Sequence, residues 1–244
     1  NIDFIDHFNL DNIEIVLDQN NIHILEKLAN TRYNPTLSIY KKIISKIKVK
    51  EIGSSIAQKI LNIAISENDT ELLKTAADKS ANLNTQDEYG KTPLHWAILY
   101  RHSDIALALI EIGSNLDIKD KFGQSPLHWA IEKGLTEITL ALIEKGANLN
   151  IQDKYGKTPL YYAIQIGNTE LALALINKGA NIDMRDEYDR PPLHWAISYN
   201  RTEIALSLID KGANLDIQDK YGKTPLHYAI HIVNTELPLT LINK

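Results

Sequence analysis

The chain of 244 residues contains no cysteine, which excludes disulfides, thiolate metal sites and cysteine nucleophiles together. The same absence leaves the redox compartment open, because oxidising and reducing compartments both tolerate it. Methionine occurs once, at Met184, and the first residue is Asn1, so we expect a processed or excised piece of a longer protein. Long apolar runs are also missing. The longest, such as residues 171–176, have the size of an amphipathic helix and fall well short of the roughly 18 residues that cross a bilayer. Positive charge is in deficit, with 26 Lys and Arg against 31 Asp and Glu, so the net charge of -5 supplies no global attraction to a nucleic-acid backbone. What remains is an ordinary globular mixture, 44% hydrophobic and 23% charged, which excludes disorder as the main state.

The informative feature is repetition. Thr92-Pro93-Leu94-His95 returns as Ser125-Pro126-Leu127-His128, Thr158-Pro159-Leu160-Tyr161, Pro191-Pro192-Leu193-His194 and Thr224-Pro225-Leu226-His227, each step being 33 residues. Upstream, Asp87-Glu88-Tyr89-Gly90 recurs at Asp120, Asp153, Asp186 and Asp219; downstream, the Gly146-Ala147-Asn148 turn recurs at Gly179 and Gly212. With these motifs the chain resembles the ankyrin repeat family, whose unit carries a Gly turn, T-P-L-H-x-A, an aliphatic helix and G-A-D-x-N. The resemblance implies an all-α fold, an ankyrin-repeat α/α solenoid with protruding β-turn loops. Its units are expected at 87–119, 120–152, 153–185 and 186–218, with a truncated C-terminal repeat at 219–244 and a degenerate one at 54–86. Residues 1–53 read as an N-terminal helical capping region of degenerate repeats.

The chemistry of one unit agrees with this reading. Thr supplies an N-cap oxygen, and Pro at the first helical position loses no needed donor. Leu94, Ala97 and Ile98 form the inward face of the first helix; the second runs over about Glu137 to Glu144 in the second unit, and Gly146 ends it in a left-handed turn. Such a pair cannot bury its own apolar faces, so stability comes from stacking. Three departures mark weak points: Pro191 replaces the capping Thr and Asp189 the turn Gly, Tyr161 replaces the His, and Pro238 falls within the last second helix. The fourth unit is therefore the candidate hinge.

Catalysis finds little support. One repeat separates His95, His128, His194 and His227 from each other, and packed helices about 8 to 10 Å apart keep two imidazoles from sharing a zinc at about 2.0 to 2.1 Å. His227 and His231 have ligand spacing on one helix, but no H-E-x-x-H frame or third ligand accompanies them. The Asp87, Asp120, Asp153, Asp186 and Asp219 column reads as turn chemistry, in which Asp accepts local backbone hydrogen bonds. No phosphate loop or nucleophile elbow is present. We expect no catalytic residue, no metal and no cofactor. Lys41, Lys42, Lys46, Lys48 and Lys50, interleaved with isoleucines, read as a basic amphipathic helix whose apolar stripe packs on the array.

In the family, partners meet the concave surface of turn tips and first helices, so the resemblance implies a protein-binding module without catalysis of its own. The tip residues here are aromatic throughout: Tyr89, Phe122, Tyr155, Tyr188 and Tyr221. Lys91 and Arg190 lie beside them, and Tyr100, Lys133, Ile166, Tyr199 and Ile232 stand at the ends of first helices. These twelve form the candidate partner-binding set, because aromatics and Arg on a rigid face make binding hot spots. All three tryptophans share one column, Trp96, Trp129 and Trp195, where packing within the repeat competes with a binding role. The expected partner is a protein with an acidic or amphipathic segment, met by a monomer without nucleic acid, metal or membrane span. An alternative is the recognition domain of a larger enzyme or of a secreted bacterial effector acting on host proteins; a structural spacer is a third reading. The expected location is soluble, either cytoplasmic or secreted into a host cell.

Overall fold

A computed structural model of the chain describes residues 54–230, with Pro238 and Leu241 beyond them. The expected capping region, the basic helix at 41–50, His231, Ile232 and most of the last second helix lie outside the described residues. The chain divides into two compact units, 1–83 and 84–244. In the first, α1 (Ser54–Glu67) packs on α2 (Thr70–Asp78). Asp69 caps the second helix of the pair, its carboxylate accepting from the Glu71 and Leu72 amides at the head of α2, each at 3.0 Å. Ile60, Leu61 and Ala64 of α1 and Leu72, Leu73 and Ala76 of α2 are buried.

The second unit repeats one device. Its helices are α3 (Pro93–Leu99), α4 (Ser103–Ile112), α5 (Pro126–Glu132), α6 (Thr136–Glu144), α7 (Pro159–Ile166), α8 (Thr169–Asn177), α9 (Pro192–Ser198), α10 (Thr202–Asp210) and α11 (Pro225–Ala229). First helices pack in the order α3, α5, α7, α9, α11, and second helices in the order α4, α6, α8, α10. The result is a two-layered, all-α stack; no strand occurs among the described residues. Leu94, Ala97 and Ile98, with their equivalents in α5, α7 and α9, are fully buried, and small Ala at the centre of each first helix lets the layers close.

Each first helix from α3 to α11 has proline at its first position, after Thr in three units, Ser in one and Pro in one. Thr92 takes the extended N-cap conformation with Pro93 next, and its hydroxyl accepts from the His95 amide. The histidine locks neighbouring units together. His95 Nε2 lies 3.2 Å from the Gln124 carbonyl, His128 Nε2 3.2 Å from that of Lys157, and His194 Nε2 3.0 Å from that of Lys223. A carbonyl only accepts, so Nε2 carries the proton and Nδ1 is left as an acceptor. In the first two units Nδ1 receives the cap hydroxyl, at 2.8 Å from Thr92 and 2.9 Å from Ser125, and the cap amide at 3.1 Å. Burial away from water lowers the pKa of His95 and His128 to about 4, so both rings are neutral. The histidine column therefore bonds the stack, and among the described residues no three metal-ligating side chains gather.

Candidate functional site

The face built from the turn tips and first helices starts with the aspartate that opens each turn. Asp120 Oδ1 accepts the Phe122 and Gln124 amides at 2.8 and 2.9 Å, and Oδ2 accepts the Trp129 indole N–H at 3.0 Å. Asp87, Asp153, Asp186 and Asp219 repeat this with Trp96, Tyr162, Trp195 and Tyr228 as the ring donors. One carboxylate thus shapes the turn and fixes the ring behind it. Successive tips are tied by single backbone bonds, Lys121 N–H to the Tyr89 carbonyl at 3.0 Å, Lys154 to Phe122 at 2.9 Å, Glu187 to Tyr155 at 2.9 Å and Lys220 to Tyr188 at 3.0 Å.

On this frame the tip aromatics stand out from the fold. Their exposure runs from 38% at Tyr188 to 69% at Tyr221, with Tyr89, Phe122 and Tyr155 between. Each ring keeps more than a third of its surface in solvent.

Behind the tips, cations lie over rings. Lys91 Nζ sits 4.8 Å from the Trp96 ring centre and 4.7 Å from that of Trp129, bridging two units. Lys133 Nζ also approaches Trp129, at 5.4 Å. Lys154 is 4.3 Å from Phe122, Lys157 4.5 Å from Tyr161, and the Arg190 guanidinium 3.8 Å from Trp195 and 4.4 Å from Tyr188. These contacts hold flexible side chains in place.

At the helix ends the expected residues part company. Ile166 and Tyr100 are exposed, Tyr100 tilted against Trp96 at 5.4 Å. Tyr199 is half-buried, stacked on Trp195 at 5.4 Å with its hydroxyl 3.3 Å from that of Tyr161. Lys133 is half-buried over its tryptophan, and Ile232 lies outside the described residues. Sequence reading missed the Tyr161–Tyr199 pair and the bond from Gln124 to the Tyr162 hydroxyl at 2.9 Å. Both span 38 residues, a separation that the 33-residue period does not bring out.

Comparison with known proteins places this geometry. A family profile described as ankyrin repeats in three copies matches residues 15–120 and 107–186, and one described as ankyrin repeats in many copies matches 167–206 and 193–237. A putative ankyrin repeat protein of Rickettsia bellii is 37% identical over 78 residues; the match spans 31% of this chain and 42% of that protein's length. The crystal structure of an ankyrin repeat domain from Acinetobacter baumannii superposes with a TM-score of 0.70 at 29% identity, over 75% of this chain and 96% of that one. A second solved ankyrin repeat protein gives 0.67 at 26% identity, over 77% of this chain and 98% of its own. Among the described residues no helix is long and apolar enough to cross a membrane.

Proposed function

The chain belongs to the ankyrin repeat family, whose members are in general protein–protein interaction modules, and on that premise we propose that it binds a partner protein through the face of turn tips and first helices. That face corresponds to the family's concave surface, and the binding units are those at 87–119, 120–152, 153–185, 186–218 and 219–244. The binding residues are Tyr89, Lys91, Tyr100, Phe122, Lys133, Tyr155, Ile166, Tyr188, Arg190, Tyr199, Tyr221 and Ile232, and the module performs no chemistry itself. One observation carries the proposal: at each of five successive tips an aromatic side chain stands 38–69% exposed.

The test is affinity capture from cell lysate with the chain and with a variant carrying serine at Tyr89, Phe122, Tyr155, Tyr188 and Tyr221, after circular dichroism shows equal helicity. A partner held by the parent and lost by the variant supports the proposal. Capture unchanged by the five substitutions removes the tips from the interface.

A further inference from the structure

Repetition within the chain supplies an internal reference: a residue that differs from its counterparts 33 positions away is not required by the repeat. Several such departures converge on one shallow cleft, lined by Lys157, Thr158, Tyr161, Met184, Asp186, Arg190, Pro192 and Trp195 among others. Tyr161 stands where the other four units carry His. Met184 stands where Ile118, Ile151 and Ile217 do, and Arg190 where Lys91, Lys157 and Lys223 do. Pro191, on its border, replaces a hydroxyl residue.

The Tyr161 substitution accounts for the opening. Histidine in this column bonds the carbonyl 29 residues on, as His95, His128 and His194 do, and so closes the junction with the next unit. Tyr161 makes no such bridge. Its ring packs edge-on against Trp195 at 5.0 Å, and its hydroxyl meets that of Tyr199 at 3.3 Å.

The cleft is rich in donors and short of acceptors. Two hydroxyls share one hydrogen bond, so one of the two O–H groups still has a proton to give. Lys157 Nζ lies over Tyr155 and Tyr161 and forms no ion pair among the described residues. Arg190 reaches Asp186 at 3.3 Å, yet its Nε is without a hydrogen-bond partner. The carboxylate present is already used: Asp186 Oδ1 accepts the Tyr188 and Arg190 amides at 2.8 and 3.0 Å, and Oδ2 accepts the Trp195 indole at 3.0 Å beside the Arg190 contact. A cationic side chain entering here would meet like charge, and an amide would bring donors with no acceptor to receive them. An acceptor-only anion is the group whose chemistry matches the Lys157 ammonium and the spare tyrosine proton, with the buried Arg190 guanidinium adding charge of the same sign. The cleft is shallow and open to solvent, with enclosed room for about one water, so it receives no more than the tip of a side chain at its mouth.

We propose that the cleft between Tyr161 and Arg190 is an anchor point that takes a carboxylate, the side chain of a Glu or Asp in the bound partner segment. The proposal rests on the reading of this face as the binding surface and names the chemistry of one contact on it. Lys157 and Arg190 supply the charge, the Tyr161–Tyr199 pair donates the neutral hydrogen bond, and Trp195 forms the wall.

The three tryptophan indole N–H signals make the test internally controlled, because Trp96 lies three repeats from Trp195. N-acetylglutamate N-methylamide and its glutamine counterpart are titrated into the ¹⁵N-labelled full chain. The glutamate probe is expected to shift the Trp195 indole signal saturably and leave that of Trp96 in place, with binding at least about tenfold weaker for the glutamine probe and for Lys157→Gln. Tyr161→His restores the residue of the other units and is expected to abolish the shift while keeping the helical content. Equal shifts with both probes, a shift surviving in Tyr161→His, or no Trp195 shift overturns the proposal. A larger response to inorganic phosphate than to the glutamate probe overturns the assignment to a carboxylate. The capture experiment on the tip residues leaves Tyr161 untouched, so failure here and failure of the binding face are separate results.

Discussion

Pro191 stands at the N-cap of α9 and offers His194 no donor. His194 Nε2 holds the Lys223 carbonyl at 3.0 Å, so Nδ1 is an acceptor, and it is buried without a partner. In the first unit the same nitrogen receives both the Thr92 hydroxyl and the Thr92 amide, neither of which proline has. Pro191 shares the backbone of the threonine caps, φ -75° and ψ 168° against -88° and 168° at Thr92, so threonine fits without strain. Pro191→Thr is expected to add two hydrogen bonds to a buried acceptor and to lose proline's restriction of the unfolded chain, a net gain of about 1 kcal/mol. A higher urea midpoint checks this; an unchanged or lower midpoint would mean that Nδ1 costs nothing where it is.

Acid should loosen the stack earlier than carboxylate chemistry alone would. Burial lowers His95 and His128 to about 4 in the fold, against an ordinary value of 6.5, so between these values the unfolded chain binds more protons than the folded one. Their contribution is complete above about 6.5 and is lost as the pH falls to about 4, on the order of 3 kcal/mol for each ring. Urea midpoints measured from pH 7 to 4.5 are expected to fall steadily, and to fall less in His128→Gln, whose side chain carries no titrating proton. A flat profile in the parent would show that the rings are already hydrated.

Much of this fold is legible because its local rules coincide with its period. A proline at the first helical position marks where each first helix from α3 to α11 begins, and the glycine turns mark where second helices end, with Gly146 at φ 84° as expected. The face is only half legible. The exposed tip column follows from the repeat, since one unit's geometry is copied into the next. The partners of Tyr161, Tyr199 and Gln124 do not, because they arise where side chains cross between units and depend on the residue the neighbour carries. Tryptophan shows the same limit: its column is visible in sequence, whereas its bond to the turn aspartate depends on the tip folding back over α3, α5 and α9.

The tips also set how closely units approach. Gly123 takes φ +78°, and a Cβ built on it would lie 2.9 Å from the Lys154 backbone nitrogen, which cannot move aside without breaking the tie to Phe122. Gly222 takes φ +71° with nothing near its Cβ position. Gly222→Ala should therefore cost only the left-handed conformation, about 1 kcal/mol, and Gly123→Ala at least about 2 kcal/mol more. Chemical denaturation of the two variants decides it; equal costs would mean that the junction between the second and third units is looser than it looks.

The central claim is that a partner lies on the tips and first helices, and hydrogen exchange of the chain with and without its captured partner tests it most directly. The account predicts slowed exchange at the tip amides of residues 88–91, 121–124, 154–157 and 187–190 and at the ends of α3, α5, α7 and α9, with α4, α6, α8 and α10 unchanged. Protection confined to those second helices, with the tips exchanging as before, would contradict it.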